Sequence, residues 1–148
     1  MSLGADETAD LGFPRARRLK RRRLIRPLFQ RGAPDVGRLR VGVVRLLYRT
    51  VPREATGLDT PLQVGFAPGR TRTKVVRNRI RRAMRETFRH HQTRLLRQLD
   101  GRDDALTVFV LFQGRETTAV ADLRRDLPRA LDRLARQLDG ASETPDRP

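Results

Sequence analysis

Cysteine is absent from the 148 residues, which excludes disulfides and thiolate metal sites. Lysine is almost absent as well. Lys20 and Lys74 are the only two, so a net charge of +16 rests nearly entirely on arginine. No apolar run approaches the about 18 residues that span a bilayer, and the acidic opening MSLGADETAD is not a secretory signal. The expectation is a soluble, cytoplasmic protein with no membrane partner. Also missing are a Gly-rich phosphate loop, an HExxH pair, a nucleophile elbow and an EF-hand loop. The carboxylates are scattered, so no general acid/base pair and no catalytic residue can be nominated. His90 and His91 are adjacent and would diverge on a helix, which argues against a metal pair. What remains is a binding protein.

The charge is concentrated. Residues 15–26 carry +8 and residues 70–97 carry +10, whereas residues 102–140 hold seven acids and seven bases. Arginine offers a rigid fork matched to phosphate, and it stacks on bases. Two basic blocks on an otherwise balanced chain are the footprint of a polyanion.

The second block organises the chain. At about 100° per residue, Val76, Ile80, Ala83, Met84, Thr87, Phe88 and Leu95 share one face of a helix over 73–96. Arg79, Arg81, Arg82, Arg85 and Arg89 share the other, with Asn78 among them. Glu86 is the lone acid, so pairing within the helix neutralises little. A solvated surface helix is the alternative, but such helices usually mix signs.

Residues 1–14 are expected to form a disordered acidic tail, 15–140 a single domain and 141–148 a second disordered tail. Within the domain, Arg15 to Gly32 pairs Leu24 with Leu28 and Ile25 with Phe29 at helical spacing, with Pro27 near its start or kinking it and Gly32 as its stop. Residues 36–51 read as a strand and Pro52 to Pro61 as a loop. Leu62 to Ala67 is a further strand, and Thr73 is placed to cap the basic helix. LTVFVLF, residues 106–112, suits a strand covered on both faces. Thr118 to Leu138 repeats leucine at helical spacing, with Pro128 expected to kink or split it and Gly140 to end it.

Val76-Arg77-Asn78-Arg79-Ile80-Arg81-Arg82, running on into Arg85-Glu86, resembles the RNR motif of the bacterial ribonuclease P protein subunit. Val64-Gly65-Phe66 resembles the strand before that motif. Arg18-Leu19-Lys20 through Gly32 resembles the family's first helix, Leu46-Leu47-Tyr48 its first long strand, Val108-Phe109-Val110 the strand after the motif and Asp122 to Leu134 its last helix. The likeness covers about residues 15–138. It departs at Pro68 to Lys74, where the family usually has two lysines and a Gly-Asn-Ala stretch, and at Ile25, where an aromatic is common.

The resemblance implies an α+β fold, a small two-layer sandwich of αβββαβα order with the motif helix in a left-handed βαβ crossover. It also implies a noncatalytic partner of a large RNA that removes 5′ leaders from precursor tRNA, with Mg²⁺ held mainly by that RNA. No obligate protein partner is implied. The RNA-binding set is then Arg18, Lys20, Arg70, Arg72, Lys74, Arg77, Asn78, Arg79, Arg81, Arg82, Arg85 and Arg89. The matching leader-cleft positions are Ile25, Phe29, Leu46 and Tyr48. A ribosomal or other structural RNA-binding protein is the alternative and needs no such cleft. A DNA-binding architectural protein would be a third class, but no helix-turn-helix spacing is present.

Overall fold

A computed structural model describes residues 14–143. Its centre is the apolar run, which forms β4 (Asp104–Phe112), inside a sheet of order β1-β2-β4-β3. Alternation sends Leu106, Val108, Val110 and Phe112 to one core cluster and Ala105, Phe109 and Leu111 to the other. β3 (Leu62–Ala67) lies parallel beside β4, with Val64 opposite Val108. The chain between them is therefore a crossover built from helix.

Residues 36–51 fold back on themselves where the sequence pattern suggested one strand. β1 (Gly37–Val41) pairs antiparallel with β2 (Val44–Pro52), with Leu39 opposite Leu46. The turn between them uses Gly42 at φ 56, a left-handed conformation that glycine adopts without steric cost. β2 in turn pairs antiparallel with β4, with Leu47 opposite Phe109.

The basic stretch is helical in two pieces. α2 (Lys74–His91) begins at Thr73, whose Oγ accepts from the Val76 N–H at 3.2 Å. It ends at Gln92, and α3 (Thr93–Leu99) follows at once. The inward stripe matches the sequence pattern: Ile80, Ala83, Met84, Thr87 and Phe88 are buried, as is Leu95 on α3. Phe88 meets Phe66 of β3 edge to face, with centroids 5.8 Å apart.

The last helix, α4 (Ala119–Glu143), packs beside α2 and α3 on the same face of the sheet. It passes through Pro128 without dividing and runs beyond Gly140, so the helix is neither split at the proline nor stopped at the glycine. Proline lacks only one donor, and burial of Leu123, Leu127, Leu131 and Leu134 secures the turns on either side.

A short α1 (Arg22–Ile25) continues as a 3₁₀ turn over Arg26–Phe29, opening with Pro27 near its start. It lies on the opposite face of the sheet, where Leu24 and Leu28 meet Leu47, Val51 and Ala105. The residues before it run along the free edge of β3: the Leu19 N–H donates to the Val64 carbonyl at 3.0 Å and Gln63 Nε2 to the Ala16 carbonyl at 3.0 Å. An edge that could template aggregation is thereby covered. The architecture is a small α+β sandwich, a four-stranded sheet under α2, α3 and α4, with α1 on its other side. The expected 1–14 tail lies outside the described residues except for Pro14, and the expected 141–148 tail contributes its first three residues to α4. Among the described residues, no helix is long and apolar enough to cross a membrane.

Candidate nucleic-acid interface

Burying one side of α2 forces its polar side outward. Lys74, Arg77, Asn78, Arg79, Arg82, Arg85 and Arg89 are exposed, and Arg81 is half-buried. Arg77, Arg79, Arg81 and Arg82 form no ion pair among the described residues, and neither does Glu86. The helix thus presents these four guanidinium groups without an ion pair among the described residues, a chemistry that suits an external anion.

Two further sets join this helix. Arg18 and Lys20 arrive from the strap along β3 and share one groove with Val64, Gly65, Phe66, Arg81 and Arg85. Arg70 and Arg72 lie exposed on the loop before the helix. That loop has a definite shape. The Arg72 N–H donates to Glu116 Oε2 at 2.9 Å, and Gly69 sits at φ 80 so close to the Phe112 carbonyl that a Cβ would come within 2.8 Å of it. All twelve basic and amide positions expected from the sequence therefore border α2 or its approaches.

The four expected cleft positions divide. Phe29 is 48% exposed and Ile25 half-buried, both on the α1 side of the sheet. Leu46 and Tyr48 are on the other side. Leu46 is fully buried in the main core, and Tyr48 lies over Gly37 with its hydroxyl donating to Gln137 Oε1 on α4. Burial raises the Tyr48 pKa above its ordinary value. The reason is the period of two in a strand: Leu47 faces α1, so both its neighbours must face away. Neither Leu46 nor Tyr48 belongs to a cleft beside α1.

Phe109 takes that place. Its ring meets Phe29 edge to face at 5.1 Å, and it lies over Gly65, where a Cβ would come within 2.6 Å of the ring. Arg45 and Arg49 stand on the same face, either side of Leu47 on the neighbouring strand. Arg38, across from Leu47 on β1, donates to the Gln30 carbonyl at 2.8 Å. Arg49 holds Asp35 at 2.8 Å through Nε, while its buried Nη1 has no acceptor. Arg22, Arg23 and Arg26 line an open groove with Pro27, Phe29 and Gln30. An exposed Phe29 against a half-buried Phe109, flanked by guanidinium groups, has the chemistry of a stacking platform with phosphate anchors. The sequence signal for Phe109 was the alternation of LTVFVLF, which separates Phe109 from Val108 and Val110.

Among the described residues, no group of three or more histidines and carboxylates gathers as a metal site. His90 and His91 are both exposed.

Residues 13–135 match the family described as Ribonuclease P. No curated protein and no solved structure matches the chain.

Proposed function

We propose a function from the premise that the chain belongs to the ribonuclease P family, as a protein subunit of that RNA-processing endoribonuclease. On this reading the arginine face of α2 holds the catalytic RNA. The aromatic face beside α1 holds the 5′ leader of precursor tRNA.

The observation that carries it is the placement of two different surfaces on two sides of one sheet. α2 offers charge on a rigid rod, with Arg77, Arg79 and Arg82 for phosphates and Asn78 for a ribose or base edge. The α1 side offers Phe29 and Phe109 among arginines. Aromatic stacking tolerates any base, at about 1–3 kcal/mol each, which suits leaders of varied sequence.

The protein's part is positioning and charge screening, and the chemistry belongs to the RNA. Mg²⁺ is assigned to the RNA partner, where it would activate the attacking water and steady the leaving oxygen. Arginines that neutralise phosphates where two RNAs meet reduce the Mg²⁺ needed to bring them together. The complex acts in the cytoplasm.

Cleavage of a precursor tRNA by a ribonuclease P RNA at limiting Mg²⁺, with and without this protein, tests the reading. Restored cleavage at the mature 5′ end is expected. Tight RNA binding with no change in rate would instead mark a structural RNA-binding protein.

A further inference from the structure

The charge balance of residues 102–140 conceals a local excess. Three acids of α4 are engaged: Asp126 with Val43 and Arg125, Asp122 with Thr118 and Arg125, and Asp132 with Arg94 of α3 at 2.8 Å. Arg129, Arg133 and Arg136 recur at i, i+4 and i+7 on the flank of α4 turned toward the hairpin, and all three are exposed. None forms an ion pair among the described residues, although Arg129 adds to the field on Asp126. Together they line one groove with Val41, Asp132 and Gln137.

This groove joins the aromatic face around the edge of the sheet. Arg45 lies opposite Arg40 in the β1–β2 register, so both side chains leave the sheet on the α1 side. The Arg40 carbonyl accepts from Arg133 Nη1 at 3.0 Å, which ties the two sides together at the edge strand. Guanidinium groups therefore follow one another from Phe29 and Phe109 through Arg45 and Arg40 to Arg133, Arg129 and Arg136.

We propose that this track carries the distal, 5′ portion of the single-stranded leader after it leaves the aromatic face. The inference rests on the leader reading above and extends it to residues outside that face. A single strand can bend round one sheet edge, whereas a stiff duplex resists so sharp a turn. A run of cations in a groove lined by no aromatic side chain suits a backbone gripped irrespective of sequence.

The test compares precursor tRNAs with leaders of about 4 and about 16 nucleotides, bracketing common single-strand site sizes. Each is titrated over a range of salt against holoenzyme assembled with wild-type protein or with the Arg129→Ala, Arg136→Ala double variant. Both side chains are exposed, and a matched melting temperature checks the fold. Wild type should bind the long leader more tightly than the short one. The variant should bind the short leader as wild type does and lose the long leader's advantage. Its log K against log salt slope for the long leader should fall by about 1.4, two single-strand contacts. Equal binding of the long leader by variant and wild type overturns the proposal, as does an equal loss on both leaders. A wild-type enzyme that does not distinguish precursor from mature tRNA overturns the leader reading itself, and this inference with it.

Discussion

The carboxylate of Asp126 on α4 accepts the backbone N–H of Val43, in the turn of the β1–β2 hairpin, at 3.0 Å. Asp126 is almost fully buried, and Arg125 donates to both its oxygens at 2.8 and 2.9 Å. The Asp126 carboxyl lies under the hairpin so tightly that a side chain at Gly42 would collide with it. A residue late in the chain thus fixes where an early strand reverses, and with it the face that each residue of β2 presents.

Removing that clamp should cost stability. Asp126→Ala leaves the Val43 N–H without its acceptor and Arg125 with Asp122 alone as its ion-pair partner, a loss of about 1–3 kcal/mol, read by thermal or denaturant unfolding. The Arg125 hydrogen bond holds the Asp126 pKa below its ordinary value, with Val43 and nearby arginines assisting and burial opposing. A depressed carboxylate stabilises the fold above its unfolded pKa, and that contribution disappears as pH falls through the folded pKa. The wild type should therefore lose stability toward acid more steeply than Asp126→Ala. Parallel acid profiles would remove Asp126 from the account.

Arg77→Ala with Arg79→Ala should weaken binding to a ribonuclease P RNA and lower its salt slope by up to about 1.8, two duplex phosphate contacts. Both residues are exposed on α2, so the unfolding midpoint should hold. An unaltered slope would take the motif out of the interface.

Phe29→Ala should reduce preference for precursor over mature tRNA by about 1–3 kcal/mol, the worth of one stacked base, with little effect on affinity for the large RNA. Tyr48→Ala should behave differently. It removes a ring packed on Gly37 and a bond to Gln137, so the loss should appear in unfolding. Selective loss of leader preference in Tyr48→Ala, with stability intact, would contradict the assignment of Tyr48 to the α4 side.

Pro128→Ala should stabilise the protein, by up to about 3 kcal/mol, because it restores a helical donor within α4. Unfolding at equal or lower denaturant would mean that the helix is shaped around the missing bond.

The chemistry and direction of α2 were legible in the chain, because burial at helical spacing leaves only one place for Arg77, Arg79 and Arg82. Thr73 as cap, β4 as a strand covered on both sides and the leucine stripe of α4 followed from the same local rules. These depend on neighbours within a few residues, where periodicity carries the information. Which way Leu46, Leu47 and Tyr48 point was not local. A strand's two faces are equivalent until something packs on one of them, and a hairpin placed at Gly42 by Asp126, 84 residues away, decides the register. The same holds for Phe109, Arg45 and Arg133. Helical spacing alone is enough to specify an arginine-faced helix. Which aromatic residues share a face with α1 depends instead on strand pairing between distant segments, and no local pattern encodes it.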